Sequence, residues 1–421
     1  MRMRLLQLTS YCEPEQISSS YLIDNRNEAF AQAGIETIVY TPMPTRGVTK
    51  EIRQEYKRRR KETMLGGMRT IHRYPLFREG RNTVMRALRY TLMCFMEFIL
   101  AIFSKDARRC NALLVFSTPP IQGAMAALVK ITRGLPFIYG LQDIFPDSLV
   151  STGIAKKGGF AWKVGRVIEN FTYRHADKII VISEDLKQNV MAKGVPEEKI
   201  EVVYNWVDEQ AVVPIERKDN VLFSRYGLNP DFFYLCYAGN IGLTQNMDQL
   251  LEVMEELQQE EPNIHLVLVG EGVYKKKVTE IVTARKLHNV HLLPFQPYKE
   301  IAHVFSLGNV GIVFSKQHVG ANSLPSKTWS IMAAARPVIV CFDANELRTI
   351  VEQNNCGIFV PAGDMVAFKA AVLRLYQDRQ LCQEMGRNGR QFVKNHLSKE
   401  KGTDEYVRII KSLMETTNCT N

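Results

Sequence analysis

The 421-residue chain carries 54 Lys and Arg against 44 Asp and Glu, which gives a formal net charge of +10. A chain of this length is too long for one ordinary hydrophobic core, so two or three domains are expected. Hydrophobic residues make up 46% and charged residues 23% of the chain, the balance of a soluble globular protein. The 8 Cys residues include no C-x-x-C pair, which argues against a zinc site or a disulfide framework and favours reduced thiols. The apolar run at the start is too short for a signal peptide.

The first half of the chain alternates short apolar runs with helix-like stretches. These runs are rich in Ile and Val without strict alternation, a pattern that indicates a parallel sheet covered by helices on both faces. The predicted strands of this half are residues 5–9, 37–41, 112–118, 136–140, 178–183 and 200–204.

An insertion at residues 45–109 breaks this alternation and holds most of the positive charge. Residues 46–109 contain 17 Lys and Arg against 6 Asp and Glu, a net charge of +11. Residues 50–61 are basic and compatible with a helix. Such a concentrated positive charge predicts an anionic partner, which would be a membrane surface, a nucleic acid or a polyphosphate substrate.

The second part of the insertion, residues 84–103, reads as a mainly apolar helix. A narrow polar stripe is predicted, made of Arg86, Tyr90, Glu97, Ser104 and Arg108. The longest uncharged stretch is well below the ~20 residues that span a bilayer, so an interfacial helix is favoured over a transmembrane one. A core helix under the first sheet with a solvated polar stripe is the alternative.

A second series of strands and helices follows, with predicted strands at residues 232–237, 264–269, 290–294, 310–315, 337–342 and 357–360. The sequence therefore predicts an α/β protein with two Rossmann-like domains, at 1–205 and 206–395. A C-terminal helix at 396–421 is expected to pack back on the first domain. Ligands of such sheets bind at the carboxyl ends of the strands, so we expect a site in a cleft between the domains.

Polar and glycine-containing loops follow several predicted strands of the second half. Gly239, Asn240 and Gly242 follow the first strand, and Gly270 with Glu271 follows the next. Glycine lets backbone N–H groups approach an oxyanion, and a helix N-terminus adds favourable potential. A single loop of this kind is a weak signal, but loops that converge on one edge of a sheet predict a phosphate site.

The segment SLPSKTWSIMAAARPVIV at residues 323–340 joins a polar loop to an Ala-rich helix and a buried strand. Together with AGNIG at 238–242, LVLVGEG at 266–272 and LLPF at 292–295, it resembles family 4 glycosyltransferases, which have the GT-B fold. Two further segments, ADKIIVIS at 176–183 and VVYNWV at 202–207, resemble the part of the family's sequence that leads from the first domain into the interdomain linker. QDIFPD at 142–147 resembles an element of bacterial surface-polysaccharide transferases, including those for N-acetylfucosamine.

The resemblance implies retaining transfer of a sugar from a nucleotide diphosphate, with neither a metal nor another cofactor. Lys327 is expected to meet the diphosphate, and Asp143 to orient or deprotonate the acceptor hydroxyl. The expected donor-binding residues are Gly239, Asn240, Gly242, Gly270, Glu271, Phe295, Lys316, His318, Ser323, Leu324, Pro325, Ser326, Lys327 and Ser330. The sequence departs from the family where a pair of Glu residues is usual, because Asn322 and Ser330 stand there.

These observations predict a glycosyltransferase of O-antigen or capsule assembly at the inner face of the plasma membrane. The expected donor is a UDP-sugar with an N-acetylated amino or deoxy sugar, and the expected acceptor is a saccharide on polyprenyl diphosphate. An anionic membrane surface is the other expected partner, and nucleic acid is not expected. The alternatives are a nucleotide-sugar 2-epimerase of the same fold and a non-catalytic protein that binds nucleic acid or membranes through its basic insertion.

Overall fold

A computed structural model describes residues 3–15, 20–80, 82–151, 156–321 and 323–420 of the protein. The chain divides into two compact units. The first comprises Met1–Tyr204 with Gly402–Asn421, and the second comprises Asn205–Lys401. The sequence-based boundary between residues 205 and 206 differs from this division by one residue.

The first unit is built on an eight-stranded sheet with the order β3-β4-β2-β1-β5-β6-β7-β8. All neighbouring strands are parallel except the pair β3 and β4. The strands are β1 Arg4–Leu8, β2 Glu36–Pro42, β3 Lys61–Met64, β4 Arg69–Tyr74, β5 Ala112–Phe116, β6 Phe137–Leu141, β7 Lys178–Val181 and β8 Ile200–Val202. The apolar side chains of β1 and β6, and those of β5 up to Val115, are buried, as expected for parallel strands covered on both faces.

Helices cover this sheet, and α3, α5 and α7 pack side by side. The helices of this part of the chain are α1 Ser20–Gln32, α2 Lys50–Arg58, α3 Thr83–Phe103, α4 Lys105–Arg108, α5 Ile121–Arg133, α6 Asp147–Ser151, α7 Phe160–His175 and α8 Glu184–Ala192. Among the described residues, every helix is too short or too polar to cross a bilayer.

The insertion contains two strands that the sequence analysis missed. The predicted basic helix ends at Arg58, and Lys61 begins β3, which pairs antiparallel with β4. The sequence did not predict β4, because this strand contains the charged residues Arg69 and Arg73. Both side chains are buried and form ion pairs, Arg69 with Glu13 and Arg73 with Glu62. The insertion therefore extends the sheet at its edge.

The apolar helix of the insertion is present as α3, and its contact with a membrane interface stays a prediction. Two residues of the expected polar stripe lie towards the protein interior, where Glu97 is fully buried and Tyr90 packs against the core, whereas Arg86 and Arg108 are exposed. Glu97 Oε1 accepts a hydrogen bond of 3.1 Å from Tyr74 Oη, and Glu97 Oε2 accepts one of 2.9 Å from Gln122 Nε2. The alternative of a core helix with a solvated polar stripe is therefore wrong at Glu97 and Tyr90.

The second unit is built on a six-stranded parallel sheet with the order β11-β10-β9-β12-β13-β14. Its strands are β9 Phe233–Ala238, β10 Ile264–Val269, β11 Val290–Leu293, β12 Val310–Phe314, β13 Val338–Phe342 and β14 Gly357–Pro361. The direction of the strand order reverses between β9 and β12. The loops that follow the central strands therefore come together at the carboxyl ends of these strands. The predicted GT-B architecture of two Rossmann-like sheets is confirmed.

The helices after β8 are α9 Val221–Arg225, α10 Met247–Glu260, α11 Lys275–Ala284, α12 Ile301–Phe305, α13 Lys327–Ala333, α14 Glu346–Gln353, α15 Met365–Gln377, α16 Arg379–His396 and α17 Lys399–Thr420. From Gly402 onwards α17 belongs to the first unit. There Tyr406 is buried, and the guanidinium of Arg26 lies 5.1 Å from its ring centroid.

Candidate active site

Lys327 begins α13 and carries a positive charge into apolar surroundings. Its Nζ lies 4.0 Å from the ring centroid of Tyr237, a fully buried residue of β9. Among the described residues, no carboxylate forms an ion pair with Lys327, and burial lowers the pKa of its ammonium group to about 7. A cation in this position is stabilised by the ring but lacks a counter-ion, so the arrangement suits an anionic ligand.

The loop after β9 comes within contact distance of this ammonium group. A β-carbon at Gly239 would lie 3.1 Å from Lys327 Nζ, and Gly239 has φ +144°, a conformation that favours glycine. Tyr237 Oη donates a 2.7 Å hydrogen bond to the carbonyl oxygen of Asn240. The side chain that supports Lys327 thus also fixes the turn beside it.

The loops after β9 and β10 are packed backbone to backbone. A β-carbon at Gly270 would overlap the carbonyl oxygen of Gly239, so only glycine permits this approach. The amide nitrogen of Ile241 donates a 2.9 Å hydrogen bond to the carbonyl oxygen of Glu271. Lys275 Nζ lies 2.6 Å from Glu271 Oε1 and 2.9 Å from the oxygen of Gly270, which holds the second loop in place.

The loop after β12 is held by the residues that follow β13. The two carboxylate oxygens of Asp343 accept hydrogen bonds from the backbone nitrogens of His318 and Gly320, at 2.9 and 2.8 Å. Asn345 Nδ2 donates a 2.9 Å hydrogen bond to the oxygen of Ser323. His318 adopts φ +66°, a left-handed conformation that these bonds stabilise.

The same loop reaches the loop that follows β9. The backbone nitrogen of Lys316 donates a 2.8 Å hydrogen bond to the oxygen of Thr244, and the Lys316 side chain is exposed. Further along, Leu324 is buried, Pro325 is partly buried and Ser326 is exposed at the N-cap of α13. The loops after β9, β10 and β12 are therefore linked by direct contacts.

The remaining predicted donor residues are less closely connected. Phe295 follows β11 and is 68% exposed, and Ser330 is a partly buried residue of α13. The backbone nitrogen of Gly242 donates a 3.0 Å hydrogen bond to Gln245 Oε1. Asn322, at one position of the family's Glu pair, lies outside the described residues.

In the first unit, Asp143 follows β6 at the carboxyl end of that strand. Its side chain is exposed, and within the described ranges it forms no hydrogen bond or ion pair. Asp147, four residues later, is paired, because Lys193 Nζ lies 2.7 Å from Asp147 Oδ2. Of these two carboxylates, only Asp143 is available to a ligand.

Sequence reasoning missed the residues that shape the site without matching a motif. The loops of the site are supported by side-chain contacts from four such residues, Tyr237, Lys275, Asp343 and Asn345. The positions of Asp343 and Asn345 directly after β13 could have indicated them, because polar residues at carboxyl ends of parallel strands commonly serve sites. Tyr237 gave no signal, since it reads as one more apolar residue of a buried strand.

Acidic residues also surround a cavity of about 280 Å³ near the carboxyl end of β1. Burial raises the pKa of Asp24, at this cavity, to about 6. Glu15 Oε1 accepts hydrogen bonds from the backbone nitrogens of Thr45 and Arg46, at 2.7 and 2.8 Å. The described residues contain no cluster of His, Cys, Asp or Glu arranged to hold a metal ion, and independence from metal stays a prediction.

Comparison with known proteins identifies both halves of the chain. Residues 27–206 match the glycosyl transferase 4-like domain, and residues 219–392 match the glycosyl transferases group 1. A probable glycosyltransferase of Pseudomonas aeruginosa, WbjE, is 22% identical over 65% of this chain and 68% of its own length. A putative colanic acid biosynthesis glycosyl transferase of Escherichia coli K12, WcaI, is 24% identical over 68% of this chain and 71% of its own length.

A solved structure with a similar fold is Anabaena HepE in complex with UDP and glucose. It has a TM-score of 0.73 and 14% identity, and the match covers 97% of this chain and 100% of HepE. The matched domains occupy most of the sequence, in the order in which the two sheets occur. The chain is therefore a nucleotide-sugar-dependent glycosyltransferase of the GT-B fold, in which a glycosyl transferase 4-like domain precedes a group 1 glycosyl transferase domain.

Proposed function

We propose that the protein transfers a sugar from a UDP-sugar to a saccharide carried on polyprenyl diphosphate, with retention of the anomeric configuration. The observation that carries the proposal is the Lys327 ammonium group, which lies against Tyr237 and Gly239 and has no counter-ion among the described residues. A diphosphate would supply the missing negative charge. The UDP in the complex of HepE supports UDP as the nucleotide, and the E. coli relative's name supports a role in surface-polysaccharide synthesis.

Lys327 would act on the leaving group. When the bond between the sugar and the diphosphate breaks, negative charge develops on the diphosphate, and a positioned cation stabilises it. With the leaving group stabilised by this cation, we propose that the chemistry needs neither a metal nor a cofactor. Turnover that persists after treatment with EDTA is the expected result.

Asp143 would act on the acceptor. Its carboxylate is exposed, lies at the carboxyl end of β6 and forms no hydrogen bond or ion pair with the residues that the structure describes. It can therefore accept the proton of an attacking hydroxyl or hold that hydroxyl in position. We propose that the transferred sugar is an N-acetylated amino or deoxy sugar, which a panel of donors would test.

A lipid-linked acceptor requires the enzyme to work at a membrane, and α3 offers a suitable surface. Its outward side is apolar, because the polar stripe with Glu97 faces the interior. We name the outward apolar side chains of the neighbouring helices α3, α5 and α7 the apolar face. It consists of Val84, Met85, Leu88, Leu92, Phe95, Phe103, Leu128, Ile131, Phe160, Val164 and Val167.

Exposed basic side chains accompany the apolar face. Lys105, Arg108 and Arg109 follow α3, and Lys156 and Lys157 precede α7. Cations near an anionic leaflet and apolar groups at the acyl boundary reinforce each other. We therefore propose that the apolar face holds the protein at the inner face of the plasma membrane as a peripheral protein.

The decisive experiment measures UDP binding by calorimetry with the full-length protein. Lys327→Ala removes a charge-assisted contact worth about 1.5–3 kcal/mol, so we expect a loss of about ten- to a hundredfold in affinity. Lys277→Ala, on the exposed side of α11, removes the same charge and should bind UDP like the wild type. Equal UDP affinity in the wild type and the Lys327 variant would refute the assignment.

A second measurement separates a transferase from a nucleotide-sugar epimerase. Incubated with a UDP-sugar and a polyprenyl-diphosphate-linked saccharide, a transferase releases UDP only when the acceptor is present. An epimerase converts the donor without any acceptor. The anomeric configuration of the product, read by NMR, then tests the proposed retention.

A further inference from the structure

The second sheet has a cavity at the amino-terminal ends of its strands. The glycine loops, which are the loops of Gly239 and Gly270 after β9 and β10, lie at the opposite ends of the strands. The cavity has a volume of about 530 Å³ and is lined by residues that precede strands, including Phe232 before β9, Asn309 before β12 and Pro337 before β13. The glycine loops follow the carboxyl ends of the same strands. The two ends of a strand of five or six residues are about 17–20 Å apart, and this length separates the cavity from the glycine loops.

Four arginine side chains line this cavity, namely Arg217, Arg336, Arg379 and Arg387, and we name it the arginine cavity. Asp231 is its one acidic residue. In the part of the chain that the structure describes, none of the four guanidinium groups forms an ion pair. The arginine cavity thus gathers four guanidinium groups against one acidic side chain of its lining.

Two of the four guanidinium groups are held in place by neutral oxygen atoms. Arg217 Nη1 donates to the oxygen of Phe232 at 2.6 Å, and Arg217 Nη2 donates to Asn309 Oδ1 at 2.6 Å. Arg336 Nη2 donates to the oxygen of Ile215 at 3.0 Å, while Arg336 Nε is buried without a hydrogen-bond partner. A buried donor without a partner costs free energy unless a ligand satisfies it.

The other two arginines approach from α16. Arg379, Gln383 and Arg387 are spaced by four residues, so they form one row along the helix. The guanidinium of Arg379 lies 4.3 Å from the ring centroid of Phe233 and 4.9 Å from that of Tyr376, which fixes its position. Neither Arg379 nor Arg387 forms a hydrogen bond to the described residues, so their N–H groups are available to a ligand.

The guanidinium groups also disfavour one another's charge. Burial lowers the pKa of Arg217, and the neighbouring Arg336 and Arg379 lower it further. An anion placed between them would reverse this effect, because it attracts all of the groups that repel each other. Guanidinium groups match phosphate oxygens in pairs of parallel hydrogen bonds, so phosphate is the anion that this chemistry fits best.

We propose that the arginine cavity is a second anion site of the enzyme, which binds a small phosphorylated molecule away from the donor loops. A volume of about 530 Å³ lies within the ~300–1,000 Å³ typical of small-molecule sites, and it exceeds what inorganic phosphate needs. The site does not depend on the proposed role of Lys327. The probes that test it are inorganic phosphate, pyrophosphate and glucose 1-phosphate.

Binding is measured by calorimetry on full-length protein, in the wild type and in a Lys327→Ala background that weakens any binding at the donor loops. In both backgrounds we expect at least one probe to bind. The double variant Arg379→Gln/Arg387→Gln should weaken this binding by about a hundredfold, at roughly tenfold for each lost contact. UDP binding in the otherwise wild-type protein should not change.

The matched control is Arg374→Gln/Lys394→Gln, which removes the same charge from exposed positions of α15 and α16 that do not line the cavity. It should retain the binding. If no probe binds, if binding survives the Arg379/Arg387 double variant, or if the control loses it equally, the arginine cavity is not an anion site.

Discussion

Glu97 and Lys327 are both ionisable residues in apolar surroundings, but within the described part of the chain only Glu97 has polar partners. Glu97 receives hydrogen bonds from Tyr74 and Gln122, whereas Lys327 contacts the ring of Tyr237 and has no counter-ion there. Polar contacts supplied from within the protein mark Glu97 as part of the first unit's framework. Lys327 lacks such contacts among the described residues, which marks its ammonium group as one that an anionic ligand would neutralise.

The largest expected effect concerns the stability conferred by Glu97. Burial raises the pKa of Glu97 from 4.5 to about 8. As the pH rises, the unfolded chain releases this proton first, so stability is greatest below about pH 4.5 and falls until about pH 8. Glu97→Gln should abolish this fall, on the order of 3 kcal/mol between pH 5 and pH 8, in urea unfolding. A variant with the wild-type pH dependence would mean that Glu97 is ionised in the folded protein.

Asp143 extends the comparison to a carboxylate that has no hydrogen-bond or ion-pair partner among the described residues. Asp143→Asn should reduce transfer by about a hundredfold, because general-base catalysis contributes ~10²–10⁴, while UDP affinity and stability stay unchanged. Asp147→Asn is the control, since Asp147 is paired with Lys193 and its loss should lower stability instead. A collapse of UDP affinity in the Asp143 variant would assign Asp143 to the nucleotide site or to folding.

A smaller effect is the pH dependence of UDP-sugar binding through Lys327. The pKa of its ammonium group is lowered to about 7 in the free protein, and a bound diphosphate would raise it. Binding above pH 7 then requires proton uptake, so affinity should fall by up to tenfold per pH unit. Lys327→Arg stays charged, and its weaker binding should not change between pH 7 and pH 9. If the wild type and the Arg variant show the same dependence, another group controls it.

The sequence predicted the sheets well because buried parallel strands are nearly continuous apolar runs. It failed at β4, whose Arg69 and Arg73 are buried in ion pairs, Arg69 with the remote Glu13 and Arg73 with Glu62 of the neighbouring strand β3. The burial of Glu97 in α3 was not predicted, for a related reason. Periodicity separates a polar from an apolar side, but the partners of Glu97 decide which side faces inward, and they are remote in sequence.

The candidate site shows the same limit. The glycine loops and Lys327 were predictable, because polar residues after parallel strands gather at one edge of the sheet. Tyr237, which contacts Lys327, and Asp343, which accepts a hydrogen bond from His318, were not predictable. Both act through contacts that exist only in the folded chain. Local pattern thus indicates where a site lies, and tertiary contact determines which side chains complete it.

The smallest effect concerns Phe95, which is 60% exposed on the apolar face, whereas Phe98 packs against the core. Basic residues supply a salt-sensitive attraction of ~1 kcal/mol each near an anionic leaflet, and apolar burial supplies a part that resists salt. Phe95→Ala should therefore reduce binding to anionic vesicles at high salt about fivefold, or about 1 kcal/mol, without lowering stability. Val366→Ala, at a position of the second unit that is 84% exposed, should bind vesicles like the wild type. Wild-type protein that ignores anionic vesicles, or a Phe95 variant that binds them equally well at high salt, would show that α3 does not contact the membrane.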